Sequence, residues 1–390
     1  MRRVIWPFVN TSGVWTGGSN YFRNLAKAVL SLPSPRIEIL LTGDTGSLEF
    51  PLNTLSTLRL PHLRRFSPHW WMNRLTARLS SDGGNLALAL AKHRIALWSH
   101  GYPLGRYSPV PSLCWIPDFQ EIHLPGFFTA REREKRIQSK RRMAASAQGI
   151  LLSSWDAHTD FCRLFPESAH KAHVLRFVAD IPPISALPSA ETVLRKHAIE
   201  EPYFHVPNQL WSHKNHLLIL DALRCLKKDG LQPLVISTGL MSDGRNPEFP
   251  ARLQEQVRTA GFAERFRFLG LVPFADVATL MRESIALINP SRFEGWSTTV
   301  EEAKSAGKQI LLSDLRVHRE QAPPRGSFFG PDDAHALAAC MRDALRAYDP
   351  EAERMAMEEA KALLPERLQA YGKAYEELAL SVIDHSARTV

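Results

Sequence analysis

The chain has 390 residues, 44% of them hydrophobic and 23% charged, with a formal net charge of +8. This length suits two domains of ordinary size, each with its own core. The composition excludes a disordered or fibrous chain, and no apolar run reaches the roughly 20 residues of a membrane-spanning helix.

Charge is uneven. Residues 1–180 hold 23 Lys and Arg against 12 Asp and Glu, a net of +11, whereas the remainder holds 25 against 28, a net of −3. The basic first half is suited to anionic surfaces. Cys114, Cys162, Cys225 and Cys340 lie far apart, without a CxxC or Cys/His spacing for zinc. With no secretory signal in the basic start Met1–Pro7, they predict reduced thiols and a cytoplasmic location.

In chain order, Val4–Val9 reads as a first strand. It leads into Gly13-Val14-Trp15-Thr16-Gly17-Gly18-Ser19-Asn20 and a helix around Tyr21–Leu30. Gly17 and Gly18 permit close approach to phosphate or sugar at a helix start. The turn is not GxGxxG and has no P-loop lysine, which disfavours nicotinamide and ATP; a plain tight turn is the simpler alternative. A strand at Ile37–Leu41 follows. In the segment 63–79, Trp71, Leu75 and Leu79 recur at helical spacing with Arg74 and Arg78 between them. Such a helix fits an anionic membrane interface, or equally a domain helix with its stripe on the core.

Strands at Ala96–Ser99 and Ser112–Ile116 precede His100 and Asp118. Strand ends in open α/β sheets are where ligands bind, although Asp118 after proline also fits an Asx-type turn. Residues 131–142 alternate charges as a solvated helix face does. No nucleic-acid-binding signature accompanies them, so no nucleic-acid partner is expected. After a strand at Gly149–Ser153, the proline-rich stretch 181–189 marks a boundary. The expected domains are 1–180 and 181–364, with 365–390 as a C-terminal helix. Further strands are read at Phe204–Val206, Pro233–Ser237, Phe266–Leu269, Ile285–Ile288 and Ile310–Ser313, and residues 332–385 read as successive helices. Short apolar runs alternating with helical patterns predict an α/β protein with parallel sheets.

The most informative segment is Asn289–Ala303, in which a strand runs into Pro290 and Ser291, then Glu294, Gly295 and a helix carrying Glu302. The first amides of a helix attract phosphate, and Gly295 leaves room for a close ligand. A carboxylate accepts from two neighbouring hydroxyls, so Glu302 suits a ribose diol and Glu294 a sugar hydroxyl pair. The competing reading is structural: Thr298 with Glu301, and Thr299 with Glu302, both have capping-box spacing.

Seven residues separate Glu294 from Glu302, and the segment resembles the E-x7-E motif of glycosyltransferase family 4, the retaining "group 1" enzymes. Residues 266–273 resemble that family's strand and turn beside the nucleotide base, and 311–320 its strand and loop after the motif helix. Asn208–His216 stands where the family places a phosphate-binding arginine and lysine. The resemblance implies a GT-B fold, two Rossmann-like domains facing a central cleft, with the last helix, Pro365–Ile383, crossing back onto the first domain.

On this resemblance Lys214 and the amides after Gly295 stabilise the departing diphosphate, Glu294 orients the sugar, and Asp118 lies near the acceptor. The expected donor-binding set is Gly17, Gly18, Gln209, Lys214, Glu294, Gly295, Trp296, Ser297, Thr298 and Glu302. No metal or resident cofactor is expected, because cationic and amide donors do that work. Two departures stand out: Gln209 is neutral where the family has arginine, and Trp296-Ser297-Thr298 replaces a small apolar run. His213, Arg292 and Arg176 are candidate replacements for the missing charge.

The expected function is retaining transfer of a sugar, on a mannosyltransferase-like pattern, from a GDP- or UDP-sugar to a glycan or lipid-linked glycan in bacterial surface polysaccharide synthesis. The protein would be cytoplasmic, with possible peripheral contact with an anionic membrane. A silent sugar-nucleotide-binding subunit, and a phosphorylase or epimerase of the same architecture, are the alternatives.

Overall fold

The computed structural model describes residues 1–8, 16–43, 51–63, 68 and 84–389. It divides into two compact units, Met1–Val178 with Glu366–Val390, and Ala179–Pro365.

The first unit runs β1 (Arg2–Phe8), α1 (Thr16–Leu30), β2 (Ile37–Gly43), β3 (Ser56–Thr57), α2 (Gly84–Lys92), β4 (Ile95–Ser99), β5 (Ser112–Ile116), α3 (Gln120–His123), α4 (Ala130–Ser146), β6 (Gly149–Leu152), α5 (Trp155–Leu164) and β7 (Ala172–Val174). Its strands form one parallel sheet in the order β3-β2-β1-β4-β5-β6-β7. Every residue of β6 is buried, as expected of a parallel strand covered on both faces.

The second unit continues with α6 (Ala190–Lys196), β8 (Tyr203–Val206), α7 (His216–Lys228), β9 (Leu234–Thr238), α8 (Phe249–Thr259), β10 (Phe266–Gly270), α9 (Phe274–Glu283), β11 (Leu287–Asn289), α10 (Thr298–Ala306), β12 (Ile310–Ser313), α11 (Arg316–Gln321), β13 (Gly326–Phe329) and α12 (Ala334–Ala347). These strands are also all parallel, in the order β10-β9-β8-β11-β12-β13. Phe204, Val206, Ile219, Leu223, Val235 and Ile288 form the centre of its core. From β8 the sheet first grows to one side through β9 and β10, then resumes on the other side with β11. That reversal is the topological switch point at which doubly wound sheets bind ligands.

The last helix, α13 (Pro350–Thr389), has 40 residues and carries Pro365 inside it. The structure therefore corrects the expected start of a separate helix at Pro365. Proline lacks an amide donor, yet packing on both sides of it holds the helix. Before Pro365, Glu353 accepts from Lys308 at 2.7 Å and pairs with Arg325. After it, the Tyr375 hydroxyl accepts from Trp6 Nε1 at 2.7 Å and donates to Ser99 Oγ at 2.9 Å. Glu376 accepts from the Arg36 guanidinium at 2.9 Å. Gly372 lies so near α1 that a Cβ there would meet the Ala28 carbonyl oxygen at 2.2 Å.

β3, β7 and β13 were not expected. They are short, and β3 and β7 contain no buried residue, so their sequences lack the apolar run that marks an inner strand. Pairing with a neighbour, not local propensity, makes them strands. The basic helix α4 is largely exposed and opens with a capping box between Thr129 and Glu132, as its charge pattern predicts. Lys140 is the exception: it is buried, pairs with Glu121 and lies 4.4 Å from the Phe119 ring centre. Residues 13–15 and most of 63–79 lie outside the described residues.

Candidate active site

The loops that follow β8 and β11 leave adjacent strands at the switch point of the second sheet. The β8 loop carries Asn208 and Gln209 and then a 3-10 turn, Ser212–Lys214, which closes on Asn215 in the left-handed region at φ 59°. The β11 loop carries Ser291 to Ser297 and feeds α10.

These loops meet through Lys214, whose Nζ donates to Glu294 Oε1 at 2.6 Å. Ser291 Oγ lies 2.7 Å from the same carboxylate oxygen and 2.7 Å from Asn289 Oδ1. Burial works to raise the Glu294 pKa. The charge of Lys214 and the hydrogen bonds from Lys214 and Ser291 outweigh it and bring it to about 2. Glu294 is therefore an anion at any physiological pH.

The start of α10 is held but not capped. Ser297 occupies the N-cap position without a side-chain cap bond. Its Oγ accepts from Asn289 Nδ2 at 2.9 Å, and its amide donates to Gln321 Oε1 at 3.1 Å. Glu301 accepts from Lys304 and Gln321, each at 3.1 Å. Ser297, not Thr298 or Thr299, is the N-cap residue, so neither capping box of the competing structural reading forms. The amides of Thr298, Thr299 and Val300 lack a capping side chain, which leaves the positive end of the helix to an anion.

Glu302, one turn further in, is 7% exposed, and burial alone pushes its pKa up to about 8. An unneutralised buried carboxylate is costly, so this one is poised to accept hydroxyl donors. Thr299 Oγ1 ties the same turn to Asn208 Oδ1 at 3.3 Å.

Among the other predicted residues, Gln209 belongs to the β8 loop, and Gly295, Trp296, Ser297 and Thr298 lead into α10 beside Glu294. Trp296 and Ser297 are buried, whereas Gly295 and Thr298 are half-buried. Gly17 and Gly18 lie in the first unit, inside the first turn of α1, which begins at Thr16 and not at Tyr21. Asp118 Oδ1 accepts from the Gln120 amide at 3.1 Å, which is the Asx-type turn role. His100 sits in the left-handed region at φ 68°. Its ring nitrogens lie 2.8 Å from Ser99 Oγ and 2.9 Å from the Tyr21 hydroxyl, and burial lowers its pKa to about 3. Both bonds make it a structural histidine of the first unit.

The candidate replacement cations fare differently. Burial, reinforced by the Lys214 charge, lowers the His213 pKa to about 4, so this ring is neutral near pH 7 and adds no charge. Arg292 is engaged by Asp332 through Nη2 at 2.7 Å and Nε at 3.2 Å. Arg176 is an exposed residue of the first unit. Two features had no signal in the sequence. His318 is fully buried on α11, and its Nδ1 donates to the Ser313 carbonyl at 2.8 Å, which fixes the tautomer behind Glu294. Asp243, in the loop after β9, is buried and accepts four hydrogen bonds. Among the described residues no group of three or more His, Cys, Asp and Glu is arranged to hold a metal. No described helix is long and apolar enough to cross a membrane.

Known proteins share the fold and part of the sequence. The family model "Glycosyl transferases group 1" matches residues 190–362. The O-antigen chain mannosyltransferase RfbU of Salmonella typhimurium is 20% identical over 326 residues, covering 83% of this chain and 78% of that protein. The Anabaena protein Alr3699/HepE, solved with UDP and glucose, superposes with a TM-score of 0.63 at 16% identity over 100% of this chain and 99% of that one. WaaG, a glycosyltransferase involved in lipopolysaccharide biosynthesis, gives 0.59 at 15% identity over 98% and 99%. The match to the glycosyl transferases group 1 model spans residues 190–362, and the chain is an enzyme of the glycosyltransferase type built on the GT-B fold.

Proposed function

We propose that the enzyme takes a nucleotide-diphosphate sugar, a GDP- or UDP-sugar, as donor and transfers its sugar with retention of anomeric configuration. One observation carries this reading. A lysine–glutamate pair stands beside an uncapped helix start, with an un-ion-paired buried carboxyl one turn behind. In this reading Glu302 accepts from the ribose diol and Glu294 from hydroxyls of the sugar. Lys214 shifts from Glu294 to the diphosphate as the donor enters. The acceptor hydroxyl oxygen bonds to the anomeric carbon while the bond from that carbon to the diphosphate oxygen breaks, and the hydroxyl proton passes to the departing diphosphate oxygen. Lys214 and the amides of α10 stabilise the charge that departs. Gln209 and residues 295–298 complete the donor wall. Gly17, Gly18 and Asp118 are assigned to the donor diphosphate and acceptor by resemblance alone, and no metal or resident cofactor takes part.

The acceptor is a glycan or lipid-linked glycan of a bacterial surface polysaccharide, and the sugar is mannose. The similarity to an O-antigen chain mannosyltransferase supports both. The basic first half suits a cytoplasmic enzyme that docks on an anionic membrane.

A thermal-shift screen against UDP, GDP, dTDP, ADP and CMP tests the donor site, because a ligand bound only by the folded state raises Tm. A shift with one nucleotide family, lost in Glu302→Ala, supports the assignment and identifies the base. No shift with any of them sinks it. Binding of the sugar nucleotide without turnover on any glycan acceptor would instead indicate a binding subunit.

A further inference from the structure

We propose that Asn208 binds the donor diphosphate directly, its side-chain Nδ2 donating to a phosphate oxygen at the start of α10. The inference rests on the reading of the switch-point loops as a nucleotide-diphosphate site. Asn208 follows β8 and precedes the Ser212–Lys214 turn, so it stands on the loop that carries Lys214. Its main chain is fixed from the neighbouring loop. Gly239, at φ +138°, packs so closely on it that a Cβ there would come within 2.7 Å of the Asn208 carbonyl oxygen. Just beyond, the Leu210 amide donates to the Leu240 carbonyl at 3.0 Å.

The side chain is fixed as well. Asn208 is 4% exposed, and its Oδ1 accepts from Thr299 Oγ1 at 3.3 Å. Thr299 belongs to the first turn of α10. This bond orients the carboxamide, using its oxygen and leaving its NH2 end over. Nδ2 is buried and has no hydrogen-bond partner among the described residues. A buried donor without an acceptor is unfavourable, and folded proteins keep few of them. Other buried atoms of this unit are also unpartnered among the described residues, His318 Nε2 and Ser237 Oγ included. Asn208 is set apart by its bond to the turn whose own amides lack a capping side chain. The carboxamide NH2 and those amides are all donors, and Lys214 on the same loop adds a positive charge. Donors grouped with a cation at a helix start suit an anion with many lone pairs, as a diphosphate is.

The test is calorimetric titration of the full chain with UDP and with GDP, for the unaltered protein, Asn208→Ala and Asn208→Asp. The Tm of each unliganded protein reports folding. Asn208→Ala removes the donor and the tie to Thr299 together. Asn208→Asp keeps an acceptor for Thr299 but sets a carboxylate where the NH2 group stood. That carboxylate is itself an anion at the helix start, so it repels an incoming diphosphate. The expected loss of affinity in Asn208→Ala is roughly 10- to 100-fold, the range for one hydrogen bond to a charged group, and Asn208→Asp loses more. A residue that served only to tie the two loops would give the reverse order, since the aspartate preserves the tie, and that order overturns the proposal. Affinity within twofold of the unaltered protein in Asn208→Ala, the result if a buried water is the sole partner of Nδ2, overturns it too and leaves the donor site standing. This second criterion applies even if Asn208→Asp does not fold. Failure of the unaltered protein to bind either nucleotide overturns both readings.

Discussion

Lys214 and Glu294 are 80 residues apart in the chain and 2.6 Å apart in the fold, and both side chains are largely buried. The pair positions the lysine, and it keeps a carboxylate ionised in a dry wall. Neither partner is dispensable to the other. Breaking a buried pair by removing one member leaves an uncompensated charge.

Replacing Lys214 alone is therefore expected to cost both activity and stability. Lys214→Met should destabilise by about 3 kcal/mol, whereas Lys214→Met/Glu294→Gln should recover much of that loss and remain inactive. Urea unfolding combined with a transfer assay reads both effects. Equal stability of the single and double variants would show that the pair is not coupled in solution.

Glu302 makes a prediction about pH. Its ordinary value of 4.5 is raised to about 8, so the folded state holds this proton more tightly than the unfolded state. Stability is then lost as pH rises from about 4.5 to about 8 and stays level above that. Glu302→Gln removes the penalty and should stabilise the unliganded protein by on the order of 2–3 kcal/mol at pH 7, while abolishing nucleotide binding. Binding by the unaltered protein should strengthen between pH 7 and 9, as the carboxyl ionises. Glu294 has the opposite sign: lowered to about 2, its contribution is complete above 4.5 and disappears as pH falls through 2. Tm across pH 3–9 for the unaltered protein and the Glu302→Gln variant separates the two.

Gly239→Ala tests the joint between the β8 and β9 loops. The new methyl would stand 2.7 Å from the Asn208 carbonyl oxygen at a φ of +138°, a combination of overpacking and backbone strain costing about 2–4 kcal/mol. Nucleotide affinity should fall with Tm, because Asn208 and the turn to Lys214 must shift together. An unchanged Tm would show that the joint yields.

In the first unit, Tyr375→Phe should leave the Trp6 indole N–H without its acceptor, at about 1–3 kcal/mol. The loss should be read by Tm and by faster hydrogen exchange in the last part of α13. Donor affinity should be unaffected, since Tyr375 and Trp6 belong to the unit that does not carry Lys214 and Glu294.

Local properties were legible in the sequence. The buried strands β5, β8, β9 and β12 are recognisable because parallel strands covered on both faces must be continuous apolar runs. The Glu294–x7–Glu302 spacing is legible because a strand end, a turn and one helical turn are all short-range. The tertiary structure decided everything that depends on which strands become neighbours. Adjacency of β8 and β11 at the switch point brings Lys214 to Glu294, although β9 and β10 intervene in the chain. Burial of Glu302 comes from packing around α10, which no spacing encodes. Asp118 accepts from the amide two residues on, because a side-chain oxygen readily meets a neighbouring amide of its own turn. The buried Asp243 carboxylate gathers amides from two separate loops. Long-range contacts of this kind are selected by the closing of the core, and a linear pattern records only the residues that will take part.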